Sequence, residues 1–219
     1  MRLNADFSKR VVVHPDEYDW VASPAAGVER MMLDRIGEEV ARATTIVRFA
    51  PDSYFDAHEH GGGEEFLVLD GVFSDESGDF PAGSYVRNPI GTSHKPHTRE
   101  GCTILVKLHQ FAADDSAQFS VSTRDAGFEP TGVDGLTVLP LHRHGEEYVR
   151  MLRFQPGTVA TPHTHVGGEE IFVLEGGFED EHGHYPTGTW LRNPDGSSHA
   201  PRSNEGCLLW MKTGHLPQS

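Results

Sequence analysis

The sequence predicts an all-β protein of two tandem domains, each folded as a β-sandwich or barrel. Residues 48–107 align with residues 153–212 at a constant offset of 105 without a gap, and 29 of the 60 pairs are identical. Solenoid repeats are usually about 20–50 residues long, so a copy of this length indicates a duplicated domain. Short apolar runs recur about every 8–12 residues between Gly and Pro, and no long stretch has the 3.6-residue period of a helix. We therefore expect domains at residues 1–120 and 121–219.

The predicted strands follow in the same order in both copies. ARATTIVRF and YVRMLRF alternate enough to be half-buried strands, and a Pro turn leads from each to a His-rich segment. The runs EEFLVLDG and EEIFVLEG come next, followed by hairpins with Gly near the tip, by SYVRNP and TWLRNP, and by the final strands CTILVKL and CLLWMK. Residues 1–30 have no evident copy and predict one short strand, VVV, with loops. Residues 112–135 are polar and predict the connection between the domains, with QFSVS as a candidate strand.

Charge and composition exclude several classes of function. The net charge of −15 argues against nucleic acid and against anionic membrane surfaces, since both are bound by clusters of Lys and Arg. We find no apolar run of about 18 residues and no signal-peptide h-region, so a cytoplasmic protein is expected. Cys102 and Cys207 occupy equivalent positions in the two copies and enter apolar runs. Each is therefore interpreted as a buried strand residue rather than half of a disulfide.

The residues that recur in register are typical metal ligands. The two copied sets are His58, His60, Glu64, Glu65 and His94, and His163, His165, Glu169, Glu170 and His199. Side chains alternate along a strand, so both imidazoles of a His-x-His pair share one face. Three imidazoles and one carboxylate suit Zn, Fe(II), Mn, Ni or Cu better than Ca or Mg. His142 and His144 form another His-x-His pair, but their counterparts Asp34 and Ile36 are not ligands, so we do not expect metal there.

These motifs resemble the two conserved motifs of cupins. The first copy has the spacing His58-x-His60-x3-Glu64-x6-Gly71, then Gly83-x5-Pro89-x-Gly91-x2-His94. The second copy has the same spacing, from His163-x-His165-x3-Glu169-x6-Gly176 to Gly188-x5-Pro194-x-Gly196-x2-His199. Asp52 stands where the first motif has its opening Gly, and Thr98 and Ser203 replace the closing Asn, but no ligand is lost. The resemblance implies two tandem cupin barrels, of the jelly-roll or double-stranded β-helix type. The ligands are expected to be His58, His60, Glu64 and His94, and His163, His165, Glu169 and His199.

The motifs GGEE, VLEG and RNPxGSSH resemble one group of cupins in particular, the cupin domain of the ChrR group of anti-sigma factors. This resemblance covers nearly the whole chain. That resemblance implies two divalent transition metals per chain, with Zn favoured and Fe, Mn or Ni as alternatives. In that group the cupin follows a helical domain that binds the sigma factor through a His/Cys zinc motif. Residues 1–30 are too short for such a domain and contain no cysteine, so a sigma-factor partner is not expected.

The sequence leaves three functions open. Related ChrR-like cupins include iron-dependent ring- and diketone-cleaving dioxygenases, so the resemblance implies a metal-dependent dioxygenase or related enzyme on a small dicarbonyl or phenolic substrate. The alternatives are a non-catalytic sensor that responds to metal, a small ligand or reactive oxygen, and a structural metal site. Arg87 and Arg192 are copied on the strand before the metal turn, and they either face the pocket or form salt bridges on the barrel exterior. A small-molecule ligand and a homodimer paired through sheet edges are the partners the sequence allows.

Overall fold

Short β-strands make up nearly all of the regular structure in residues 1–217, the part of the chain that the computed structural model describes. In the first half they are β1 (Arg2–Leu3), β2 (Val11–Val13), β3 (Val21–Ala22), β4 (Val28–Gly37), β5 (Ala41–Phe49), β6 (His58–Glu59), β7 (Glu64–Asp75), β8 (Gly78–Pro81), β9 (Ser84–Asn88), β10 (Ser93–His94), β11 (Cys102–Leu108) and β12 (Phe119–Ser122). The second half holds β13 (Glu129–Pro130), β14 (Leu136–His144), β15 (Glu147–Phe154), β16 (Thr158–Val159), β17 (His163–Thr164), β18 (Glu169–Asp180), β19 (Gly183–Pro186), β20 (Trp190–Asn193), β21 (Ser198–His199), β22 (Arg202–Ser203) and β23 (Cys207–Thr213). The helical content of residues 1–217 is a single 3-10 turn at Pro15–Glu17. The all-β prediction is therefore confirmed.

The first unit consists of Met1–Ala5 and Asp19–Asp125. Its main sheet has the strand order β1-β4-β5-β11-β7-β9-β12, with β3 beside β4 and β8 beside β7. β6 and β10 form a separate antiparallel pair. Strands distant in sequence, such as β5 and β11, therefore lie side by side, and the His-rich segment at β6 pairs with β10.

The second unit consists of Asp6–Tyr18 and Ala126–Ser219, and its strand order is the same apart from its edges. Its main sheet runs β13-β14-β15-β23-β18-β20-β2, and β17 pairs with β21 as β6 pairs with β10. The His-x-His segment and the last metal turn thus face each other in both units.

Apolar residues that alternate along these strands form the core of each unit. In the first unit Phe49, Phe66, Phe73, Ile104 and Val106 are all at most 4% exposed. Burying a large apolar side chain stabilises a fold by about 1.5–3 kcal/mol, so five of them outweigh any single polar contact in the unit. The second unit has an equivalent core of Leu136, Phe154, Ile171, Val173, Phe178, Leu191, Leu209 and Met211.

β7 bends away from its neighbour at a β-bulge, and Gly71 follows the bend. The register of β7 with β11 shifts between Thr103 and Ile104. Gly71 has φ +71°, and a Cβ placed there would lie 2.1 Å from the Gly101 carbonyl oxygen. Only glycine combines that backbone angle with so close an approach. The bend carries the second half of β7 into the hairpin whose far end reaches the metal ligands.

The unit boundaries differ from the predicted 1–120 and 121–219 because each unit is completed by a strand from an unexpected part of the chain. β2 pairs with β20, with Val11 opposite Arg192. β12, the candidate strand QFSVS, pairs with β9, with Phe119 opposite Arg87. Arg87 and Arg192 are copies of one position, so β2 and β12 fill equivalent places. Residues 6–18 therefore do have a counterpart, the segment around β12, but the sequences of the two segments are too dissimilar to show it.

Within residues 1–217 we find no helix with the length and hydropathy needed to span a bilayer.

Candidate metal centres

Strand pairing brings the ligand residues of each copy together. His94 on β10 lies directly opposite His58 on β6, and His199 lies opposite His163 in the second unit. The glutamate of each set, Glu64 or Glu169, is the first residue of the long strand β7 or β18. All ligand atoms within each set lie within 4.8 Å of one another; the sets are His58, His60, Glu64 and His94, and His163, His165, Glu169 and His199.

The spacing between these atoms matches ligands around one cation. Glu64 Oε1 lies 3.5 Å from Nε2 of His60 and 3.5 Å from Nε2 of His94. In the second unit the corresponding distances from the glutamate oxygen to the two imidazoles are 3.3 and 3.6 Å. Two donors bound at about 2.1 Å to one metal lie about 3.0 Å apart at a right angle and about 3.4 Å apart in a tetrahedron. Both sets could hold a transition-metal ion with little rearrangement.

Hydrogen bonds to Nδ1 turn the other nitrogen of the imidazoles toward this centre. His58 Nδ1 lies 2.9 Å from the Asp56 carbonyl oxygen, an acceptor, so Nδ1 carries the proton. His60 Nδ1 lies 2.9 Å from Thr92 Oγ1, and the Thr92 hydroxyl donates its own hydrogen to the Pro89 carbonyl. The threonine oxygen must therefore accept from His60 Nδ1–H. This arrangement leaves the Nε2 lone pair of each ring free for a metal.

A buried aspartate holds the third imidazole of each set. Asp75 Oδ2 lies 3.1 Å from His94 Nδ1, and Asp180 Oδ2 lies 3.0 Å from His199 Nδ1. Such carboxylate–histidine pairs orient a metal ligand and make it more basic. Sequence reasoning missed both aspartates, although they are copied in register 19 residues before the histidine they hold.

The imidazoles of one centre have opposite pKa shifts. Burial lowers the pKa of His60 and lowers that of His165 to about 4. Burial also acts on His94, but the hydrogen bond to Asp75 and the Glu64 carboxylate outweigh it and raise the pKa above its ordinary value. Protons therefore compete with a metal mainly at the aspartate-paired histidine.

A metal in each centre would explain why several buried polar atoms of the ligand sets lack a hydrogen-bond partner. Five of these atoms are buried and have no hydrogen bond to any described residue: Nε2 of His60, His94, His165 and His199, and Oε1 of Glu169. Buried polar atoms are nearly always satisfied, so an unpaired group at one point in each unit indicates a missing partner. The donor set and this orphaned cluster both fit a divalent transition metal.

The adjacent glutamates point to opposite faces of their strand. Asn88 Nδ2 donates to Glu64 Oε1, at 3.3 Å, on the face of the metal centre. Glu65 instead accepts from Arg87 Nη1, at 2.8 Å, and from the Tyr85 hydroxyl on the other face. The cross-strand partners are Glu64 with Asn88 and Glu65 with Arg87, and partners in a sheet share a face.

Arg87 and Arg192 therefore do not take the pocket position considered for them. Arg87 also pairs with Asp115 Oδ2 at 2.6 Å and is not among the residues that line the cavity of the first unit. Arg192 is fully buried, donates to the Asp6 carbonyl and lies 4.4 Å over the Phe7 ring. The alternation along β9 and β20 places these side chains with Glu65 and Glu170, away from the metal ligands.

A cavity of about 750 Å³ opens onto the first centre. Its wall includes metal-centre residues, such as His58 and Glu64, and buried apolar residues, such as Phe73 and Val106. It reaches the surface beside Tyr54, which is 58% exposed. A metal held by the first set would thus face a space of the size that small-molecule sites have.

The two cysteines are free and buried, as interpreted from the sequence. Burial raises the pKa of both thiols to about 11, so neither is a thiolate near neutral pH. A thiol-based redox function is not supported.

Comparison with known proteins identifies the repeat. The family model described as ChrR Cupin-like domain matches twice, over residues 8–112 and 116–217. A search of curated proteins by sequence gives no match.

Solved structures share the architecture at low identity. A protein of Nostoc punctiforme provisionally described as a dioxygenase is 13% identical, with a TM-score of 0.80 over 97% of this chain and 85% of the other. Protein Ylba from E. coli is 15% identical, with a TM-score of 0.74 over 98% and 94%. An oxalate decarboxylase from Bacillus subtilis, which has Mn(II) centres, is 12% identical, with a TM-score of 0.64 over 95% and 78%. At these identities the similarity shows the fold, which is a pair of cupin barrels.

Proposed function

The chain belongs to the family of ChrR cupin-like domains, and from that membership we propose that it is a bicupin enzyme with one divalent transition metal per unit. The substrate is a small dicarbonyl or phenolic compound, and the reaction is that of a dioxygenase or a related enzyme. One observation carries the choice of an enzyme over a structural metal site: the first ligand set lines a cavity of about 750 Å³ that reaches the surface. A structural site is closed by protein, whereas a catalytic site keeps coordination positions open to substrate.

The residues around the first centre suit such a substrate. Phe49, Phe73, Ile104 and Val106 give the cavity an apolar wall that would exclude water from an aromatic or alkyl body. The hydrogen bonds of His60 Nδ1 to Thr92 and of His94 Nδ1 to Asp75 keep the Nδ1 protons in place and fix the ligands before substrate arrives. A divalent transition metal bound there supplies Lewis-acid polarisation of a carbonyl or enolate oxygen, and redox chemistry with O₂ if it is iron. The Nostoc neighbour, which shares the fold, is provisionally described as a dioxygenase, and the proposal extends that class of reaction to this chain.

Metal content tests the first half of the proposal. Protein purified without chelator is analysed by ICP-MS beside His94→Ala, His199→Ala and the matched control His142→Ala. We expect about two transition-metal atoms per chain, a loss of about one in each ligand variant, and no loss in the control. No metal above background, even after reconstitution with Fe, Mn, Ni and Zn, would overturn the ligand assignment.

Oxygen consumption tests the second half. Iron-loaded protein is screened with diketones and phenols. Turnover is expected to disappear in His94→Ala and to persist in His199→Ala, because the cavity belongs to the first unit. Full metal occupancy without turnover of any substrate would refute the enzyme and favour a non-catalytic sensor.

A further inference from the structure

The two metal centres have the same ligands but different surroundings. Thr45 on β5 lines the cavity of the first unit, and the equivalent residue on β15 is Arg150. The sheet register supports this equivalence, because Thr45 lies opposite Val106 and Arg150 opposite Met211, which are themselves copies. A neutral, short side chain in one barrel is thus replaced by a cation in the other.

The surroundings of Arg150 hold its guanidinium in place. Nη1 donates to Thr213 Oγ1 at 2.8 Å, and the guanidinium carbon lies 4.5 Å from the centre of the Tyr148 ring. The first unit has Leu108 and Ala43 at the positions of Thr213 and Tyr148, so neither anchor exists there. The arginine and its two anchors therefore form a feature that only the second unit has.

The guanidinium faces the second metal centre. Thr213, which accepts from Arg150 Nη1, is the cross-strand partner of Glu169, and partners in a sheet share a face. The guanidinium therefore lies on the side of the strand that carries the ligand Glu169. The bond to Thr213 occupies one donor, and Nε and Nη2 have no hydrogen-bond partner among residues 1–217. A metal bound at the second centre would thus have a guanidinium with free donors beside it.

The cations at the first cavity are already engaged. Arg30 pairs with Glu39 at 3.7 Å, and Arg35 donates to the backbone carbonyls of Glu38 and Glu39. Because these contacts already engage their guanidinium groups, Arg30 and Arg35 are less available than Arg150 to an incoming anion.

We propose that the second metal centre is a binding site for a small carboxylate, which bridges the metal and the Arg150 guanidinium. A carboxylate matches the planar fork of a guanidinium, and its other oxygen can occupy an open metal position. Arg150 is then the specificity-determining residue that distinguishes the two barrels. The second barrel binds a compact anion, and the first binds a larger apolar ligand. The inference rests on the proposed function, since it needs a metal in the second unit.

Acetate binding to cobalt-loaded protein tests this assignment without any turnover. His94→Ala leaves only the second centre and His199→Ala only the first. Acetate is titrated into each variant while the visible absorption of Co(II) and the heat of binding are recorded. Chloride, an anion without the planar pair of oxygens, is the control. We expect saturable acetate binding at the second centre and binding at least tenfold weaker at the first.

Arg150 variants in the His94→Ala background identify the residue responsible. Arg150→Thr, the residue of the first unit, is expected to weaken acetate binding by about 10- to 100-fold, since hydrogen bonds to charged groups are the strong ones. Arg150→Lys keeps the charge without the fork and should fall between the two. Acetate should also raise cobalt affinity when Arg150 is present and lose that effect in Arg150→Thr, because coupling between two ligands is reciprocal.

The outcomes separate this inference from the proposed function. Cobalt binding with acetate affinity that is equal at both centres, or unchanged in Arg150→Thr, refutes the anion site and leaves Arg150 as a packing residue. A failure to bind cobalt overturns both proposals. Circular dichroism of Arg150→Thr and Arg150→Lys establishes that each variant is folded before the titration.

Discussion

Replacing Arg87 with alanine tests the distinction between the two faces of β9. The side chain is fully buried and pairs with Glu65 at 2.8 Å and with Asp115 at 2.6 Å. Its guanidinium also lies 4.2 Å over the Phe111 ring. Arg87→Ala would remove the cation and leave two carboxylates buried in its place.

The expected loss of stability follows from that desolvation. Removing one partner of a buried ion pair typically costs about 3–5 kcal/mol, because the remaining charge stays uncompensated. The matched control is Arg48→Ala in the same unit, where both Arg48 and its partner Glu29 are 47% exposed. An exposed pair contributes about 0–1 kcal/mol, so the control should change little.

Urea denaturation followed by circular dichroism measures the difference. With a slope of about 1–3 kcal/mol per molar, Arg87→Ala should lower the unfolding midpoint of the first unit by about 1 M or more. Metal content per chain should stay at the wild-type value, because Glu64 lies on the other face. Unchanged stability together with a loss of metal would show that Arg87 serves the metal centre and that our reading of the strand faces is wrong.

Three further predictions concern the aspartate that holds His199, a backbone turn and the thiols. Asp180→Asn, in a protein whose only intact centre is the second, should lower metal affinity at pH 8 by about 10- to 100-fold. The hydrogen bond to Asp180 raises the pKa of His199, so in the wild type a proton competes with the metal for that imidazole. In Asp180→Asn this competition is weaker, and the metal affinity should depend less on pH between pH 6 and 8. An unchanged pH dependence in a metal titration would contradict this. Gly71→Ala should destabilise the protein by at least about 1–3 kcal/mol in thermal or urea unfolding, since the backbone has φ +71° and the new methyl would meet a carbonyl; a neutral effect would contradict the close approach. Cys102 and Cys207 should resist a thiol reagent at pH 8 and react fully in guanidinium, because burial raises the pKa of each to about 11; rapid native labelling would contradict their burial.

Duplication made the ligand sets readable from the sequence, because it separated the residues kept in both copies from incidental ones. The x6-Gly spacing of the cupin motif selects Glu64 rather than Glu65 as the ligand, and the structure places the two side chains on opposite faces of the strand. The same alternation, applied to Arg87 with its register known, would have placed it with Glu65. The register of a strand with distant neighbours is fixed by tertiary packing and is not visible in local spacing.

What differs between the copies was harder to interpret than what is shared. Arg150 cannot be recognised from the repeat because its counterpart, Thr45, is not a metal-ligating residue, although the difference places a guanidinium beside the cross-strand partner of Glu169. Asp75 was hidden for another reason: it lies 19 residues before His94, and only the fold of the intervening hairpin brings the two within 3.1 Å. Contacts of this kind need the curvature of the sheet, which composition and periodicity do not encode.

β2 completes the second unit and β12 completes the first, so the chain cannot be cut at the repeat boundary without removing an edge strand from each unit. A cut between residues 120 and 121 would leave the first piece with β2, whose acceptor β20 it lacks, and would split β12, which completes β9. Each piece would then expose a bare sheet edge, and the two edges are complementary to strands of the opposite piece. In this arrangement the strand that precedes each repeat, β2 or β12, forms an arm that completes the sheet of the other unit. The covalent link then keeps the arms at a high local concentration that does not depend on how much protein is present.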